Sequence, residues 1–192
     1  MRRPATTVVG VISDTHGLMR PEALAALAGA DVIVHAGDIG SVAVLDALRA
    51  IAPVIAVRGN NDRGAWAASI PDTVTTKVGV VRLHVDHDVN TLRGDPAERG
   101  INVVIAGHSH RPVVERRGRW LLLNPGSAGP RRFSLPIAVA RLRIGARGAR
   151  ARVIQIGGPR RAPQTPHALG RAPAKPRRAS ASRERSGPRR AS

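Results

Sequence analysis

Three apolar runs near the N-terminus, "TTVVGVIS", "DVIVHAGD" and "PVIAVRG", are separated by the stretches "PEALAALAG" and "SVAVLDALRAIA". The runs are short and rich in valine and isoleucine, a pattern that favours buried strands. The intervening stretches read as helices, with Pro21 at one start, Gly29 at its end and Ser41 as the next N-cap. Strand, helix and strand in succession, with short connections, call for parallel pairing and right-handed crossovers. Such sheets carry the C-terminal ends of their strands along one edge, where α/β proteins build sites.

After Pro71 the pattern changes. "TVTTKVGVVRLHVDH" reads as a hairpin turning at Gly79, and "DPAERG" as a short helix before the strand "INVVIAG". "PVVERRGRWLLLN" turns near Gly118, and a last hairpin turns between Gly145 and Gly148. The expected fold is α/β: two packed β-sheets flanked by helices, an αββα four-layer sandwich over residues 1–157. From residue 158 to Ser192 proline, arginine, alanine and serine dominate without apolar periodicity. That composition cannot bury enough surface to offset its ordering entropy, so the tail is expected to be disordered.

The chain has no cysteine, so any metal must be held by oxygen or imidazole ligands. Its N-terminal apolar run is too short for a signal-peptide core, and no segment approaches the ~20 apolar residues of a membrane span. A soluble, cytoplasmic protein without membrane contact is the expectation; no pattern specifies an oligomeric state. The net charge of +18 is almost wholly arginine, since lysine occurs only at Lys77 and Lys175. Half of that charge lies beyond Ile156. It reads either as a background of base composition or as a nucleic-acid contact through the tail.

The strand ends carry the chemistry. The first gives way to Asp14 and His16, the second to Asp38, and the third to Asn60, Asn61 and Asp62. "VVRLHVDHD" ends in His87 and Asp88, and "INVVIAGHSH" in His108 and His110. Gly37, Gly59 and Gly107 let the backbone bend there. Any one of these pieces is a good turn sequence. Five together, each at a strand end and each offering metal-ligand chemistry, point to one site.

"DTHG", "GD", "GNND", "HD" and "GHSH", in that order, resemble the five motifs of the calcineurin-like metallophosphoesterases, nearest to their small YfcE-type phosphodiesterase branch. "NPGSAGPRR" resembles the segment that follows the last metal motif, and the likeness runs from about Thr7 to Ile156. The resemblance implies two divalent metal ions, Mn²⁺ by family with Fe²⁺, Ni²⁺ or Zn²⁺ also compatible. It implies one ion on Asp14, His16, Asp38 and His110, and a second on Asp38, Asn60, His87 and His108, with Asp38 bridging. Asp38, Asn60 and His108 would stand at the reaction centre, where a metal-activated water attacks a small phosphodiester.

The match departs from the family in two places. Asn61 stands where many members have a histidine that protonates the leaving group, and an amide cannot serve as a general acid. His87-Asp88 replaces the usual His-Gly, and His84 is an alternative ligand, with His87 preferred because it stands at the strand end. His35 reads as a packed or hydrogen-bonded core residue. Two other functions fit the same features: a protein-interaction scaffold like the related retromer subunit, or a nuclease aided by the basic tail.

Overall fold

The computed structural model describes residues 6–132 and 134–158, so the expectations for the arginine-rich tail lie outside the described residues. The first half runs β1 (Thr7–Ile12), α1 (Pro21–Leu27), β2 (Val32–Ala36), α2 (Val42–Arg49) and β3 (Val54–Val57). The second runs β4 (Thr73–Val78), β5 (Val81–Asp86), β6 (Val103–Ile105), β7 (Val113–Arg117), β8 (Trp120–Asn124), β9 (Ile137–Gly145) and β10 (Gly148–Gly157). They form two five-stranded sheets, ordered β10-β9-β1-β2-β3 and β4-β5-β6-β8-β7. The three hairpins turn where the glycines stand: Gly79 and Gly118 both take φ of 56°.

The alternation within each strand divides its residues between two cores. Val9, Val11, Val34 and Ala36 of the first sheet meet Leu83, Val85, Ile105 and Leu123 of the second, all fully buried. Each large aliphatic side chain there contributes about 1.5–3 kcal/mol by leaving water. On the opposite face Ile12 and Ile33 pack under α1 and α2 through Leu27, Leu45 and Leu48. Gly10 allows that approach, because a Cβ there would lie 2.8 Å from Leu27 Cδ2.

The sandwich is the expected one, with a difference in its fourth layer. The outer face of the second sheet is covered by two 3₁₀ turns, Val89–Thr91 and Pro96–Arg99, around Ile101, Val104, Trp120 and Leu122. Asp88 and Asp95 cap these turns by accepting from the amides of Asn90 and Ala97. Ser41 stands at the N-cap of α2 as expected, but its side chain makes no capping hydrogen bond. Among the described residues no helix is long and apolar enough to cross a membrane.

In each sheet three strands run parallel, β1-β2-β3 and β5-β6-β8. The C-terminal ends of β1, β2, β3, β5 and β6 therefore deliver all five polar motifs to one end of the sandwich.

Candidate metal centre

Among the described residues, five that are not glycine have positive φ: Asp14 (53°), His16 (47°), Asp38 (53°), His108 (63°) and His110 (55°). This left-handed conformation costs an L-residue about 1–2 kcal/mol. Its restriction to ligand-type side chains at strand ends is the mark of turns shaped to aim those groups.

Backbone hydrogen bonds hold the turns in place. The amides of Asp14, His16 and Gly17 donate to the carbonyls of Gly37, Asp38 and Ile39 at 3.0, 2.9 and 2.8 Å, fastening the loop after β1 to that after β2. The buried Asp62 carboxylate ties in the loop after β3, accepting from the amides of Ile39 (3.0 Å), Gly40 (2.8 Å) and Gly59 (2.9 Å). Asn124 donates to the Gly107 carbonyl at 2.6 Å, and Ser127 Oγ donates to the Asp14 carbonyl at 2.9 Å. The "NPGS" segment thus braces two ligand loops at once. Gly37 does take a positive φ, 87°, but Gly59 and Gly107 keep ordinary φ; a Cβ on either would collide with the neighbouring loop.

All seven residues expected as ligands converge. Asp14, His16 and His110 present donor atoms within 4.8 Å of one another, and so do Asp14, Asp38 and His87. Asp38 spans the two groups, with Oδ2 at 3.8 Å from His16 Nε2 and Oδ1 at 3.5 Å from His87 Nε2. Asn60 Oδ1 lies 3.2 Å from both His87 Nε2 and His108 Nδ1. Asp14 thus falls in both groups, where Asp38 alone was expected to be shared, and His108 joins the set through Asn60.

This donor set fits a cation. Asp14 Oδ1 and His16 Nε2 are buried and have no hydrogen-bond partner. The Ala36 carbonyl can only accept, so His87 Nδ1 carries the proton it donates there at 2.8 Å. His87 Nε2 then faces the oxygens of Asp38 and Asn60, a position that a proton fills in the metal-free protein and that a cation would fill in its place.

The titration behaviour agrees. Burial alone would raise the pKa of Asp38, but bonds from His87 and from the amide and side chain of Asn61 hold it well below the usual carboxylate range. Burial lowers that of His87, yet its contacts with Asp38 and Ala36 leave it raised overall. Burial lowers His16 in spite of Asp38 and Asp14. Asn61 contributes what its sequence did not disclose: its amide donates to Asp38 Oδ1 (2.9 Å) and its side chain to Oδ2 (2.6 Å). In place of an acid it supplies a clamp.

Among the described residues, the other two histidines lie apart from the ligand set. His84 is on the outer face of its sheet, 2.8 Å from Thr75 Oγ1, which leaves His87 facing the site. His35 is fully buried beneath it. Thr15 Oγ1 gives its one proton to the Ile39 carbonyl at 2.8 Å and so accepts from His35 Nε2–H at 2.9 Å. Burial pushes the His35 pKa down to about 4, so the imidazole is neutral when folded. The unfolded chain takes up that proton from about pH 6.5 downward, so this contribution is complete above pH 6.5 and lost as pH falls toward 4. Its full size is on the order of 3 kcal/mol. Urea unfolding of metal-free protein between pH 7 and pH 4 should show this slope, and His35→Gln should flatten it.

A two-sheet sandwich with carboxylates, an amide and imidazoles gathered at parallel strand ends is a candidate divalent-metal centre. The chain belongs to the calcineurin-like phosphoesterase superfamily, whose domain profile matches residues 8–147. It is 35% identical over 164 residues to a "probable metallophosphoesterase" of Methanothermobacter thermautotrophicus, an alignment covering 79% of this chain and 94% of that protein. Among solved structures it is similar to the phosphoesterase YfcE of E. coli (TM-score 0.65, 23% identity, 85% of this chain and 100% of that one). It is also similar to an archaeal phosphodiesterase (TM-score 0.64, 23% identity, 77% and 100%). Zinc-complexed Vps29 of Entamoeba histolytica shares the fold as well (TM-score 0.63, 23% identity, 77% and 91%).

Proposed function

We propose that the chain is a dinuclear-metal phosphodiesterase, Mn²⁺-dependent, whose ions are held by Asp14, His16, Asp38, Asn60, His87, His108 and His110. The observation that carries this reading is the convergence of these donors: Asp14 Oδ1 and His16 Nε2 are buried without a hydrogen bond, and Asp14 Oδ1 has His110 Nε2 3.2 Å away. Bound divalent ions supply Lewis acidity, which activates water and neutralises charge on the phosphoryl oxygens.

The protein's own groups do the rest. Asp38 joins the two donor groups, and Asn61 fixes its carboxylate through both oxygens. Asn60 adds an oxygen without adding negative charge, which keeps the cation facing it a stronger electrophile. Asp14 and Asp38 are buried while Asn60 and His108 are exposed, so a substrate reaches the centre over the latter pair. With Asn61 unable to donate a proton to a leaving oxygen, the site favours esters whose leaving group departs as an anion. The likeness to Vps29 concerns the fold, and an intact donor set favours hydrolysis over a purely structural surface.

Metal-stripped protein should not hydrolyse bis-p-nitrophenyl phosphate, and Mn²⁺ should restore turnover with two ions per chain. The diester should exceed p-nitrophenyl phosphate in kcat/KM by about tenfold or more, about 1.4 kcal/mol in the barrier. Equal or greater activity on the monoester would remove the diesterase assignment, and inactivity on both with metal loaded would remove the hydrolytic one.

A further inference from the structure

We propose that Asp88 is a positioning residue for His108: its carboxylate engages the Nε2 side of the ring, so that Nδ1 is turned toward Asn60 and the metal centre. This rests on the dinuclear reading above and adds to it a residue outside the ligand set.

The two nitrogens of His108 face in opposite directions. Nδ1 lies 3.2 Å from Asn60 Oδ1, and Nε2 lies 3.9 Å from Asp88 Oδ2. Asp88 is itself held. Its Oδ1 accepts from the amide of Asn90 at 3.0 Å and from Asn90 Nδ2 at 2.8 Å, which leaves Oδ2 for the histidine. The Asp88 amide donates to Asp86 Oδ1 at 3.2 Å, and Thr91 Oγ1 lies within donating distance of both Asp86 Oδ2 (2.6 Å) and the Asp88 carbonyl (2.8 Å), with one proton for either. The carboxylate is therefore presented from a fixed turn.

His87 shows the same arrangement with a different acceptor. Its Nε2 also lies 3.2 Å from Asn60 Oδ1, and its distal Nδ1–H donates to the Ala36 carbonyl at 2.8 Å. Two imidazoles thus flank one amide oxygen, each with its far nitrogen turned to an oxygen. The difference is burial. The His87 side chain is 7% exposed and fixed by packing, whereas that of His108 is 45% exposed and meets the His87 ring edge-on, with centroids 5.2 Å apart. A carboxylate behind a ligating imidazole fixes the tautomer, aims the ring and makes it a better electron donor. At 3.9 Å the pair is an electrostatic guide rather than a formed hydrogen bond. Its attraction grows when a cation on Nδ1 draws charge from the ring.

The test separates this role from capping of the 3₁₀ turn. Asp88→Asn and Asp88→Ser both keep an oxygen able to accept from the Asn90 amide, and both lack the charge. Mn²⁺ titration of the metal-stripped full chain by calorimetry should show one of two ions bound about 10–100-fold more weakly in both variants. The visible absorption of the Co²⁺-loaded protein should shift, while metal-free Tm stays within about 2 °C of the unsubstituted chain. Unchanged affinity and an unchanged Co²⁺ spectrum would overturn the proposal, as would a fall in metal-free Tm with affinity intact. An unsubstituted chain that binds no Mn²⁺ would overturn the dinuclear reading and this role with it.

Discussion

Asp38→Asn should reduce metal-dependent phosphoester turnover by about 10³-fold or more, roughly 4 kcal/mol of transition-state stabilisation. The substitution preserves size and one acceptor for the Asn61 amide, so the fold has little reason to change. It removes the one anion whose two oxygens face different imidazoles, His87 at 3.5 Å and His16 at 3.8 Å. It also places a second amide NH₂ group against Asn61 Nδ2, where the carboxylate had accepted at 2.6 Å. The measurements are kcat/KM on bis-p-nitrophenyl phosphate and metal content per chain. A variant that keeps both ions and its rate would show that the carboxylate of Asp38 does not join them.

Gly37→Ala should damage both the fold and the centre. Gly37 sits at φ 87°, and a Cβ there would lie 2.5 Å from His87 Nδ1. Backbone strain and overpacking each cost about 1–3 kcal/mol, so the sum is about 2–6 kcal/mol. For a domain of this size that lowers Tm by about 5–20 °C. The displaced ring also loses its bond to the Ala36 carbonyl, so metal affinity should fall even below the unfolding transition. Thermal unfolding and Mn²⁺ titration check the two effects separately. A variant with unaltered Tm would mean that the loop after β2 yields more easily than its packing indicates.

The ligand residues were legible because their chemistry is local: an oxygen or imidazole placed directly after an apolar run is visible in a dozen residues. Sheet membership beyond the first three strands was not. The hairpins are plain from Gly79 and Gly118, yet β8 pairs in parallel with β6, and β9 crosses to the first sheet beside β1. Those pairings are decided by which apolar faces meet across the sandwich, and strands as short as Val103–Ile105 carry too little pattern to announce a partner. In the sequence Asn61 stands out only as an amide where an acid is expected, and Asp62 only as a polar residue of the same turn. Their work is to hold Asp38 and three amides, and it depends on loops brought together from β2 and β3. Of the two 3₁₀ turns over the second sheet's outer face, Pro96–Arg99 is visible in "DPAERG", whereas Val89–Thr91 leaves no amphipathic stripe.

The position of β1 bears on how the molecule comes into being. It lies between β2 and β9, so one of its edges has no partner until residues 137–145 have been made. On the ribosome, the loops bearing Asp14, His16, Asp38 and Asn60 are synthesised early but remain attached to an open sheet. Such distant pairing is slow compared with helix or hairpin formation. Four of the seven donors are thus translated early, yet the end of the sandwich that bears them is among the last parts of the molecule to mature.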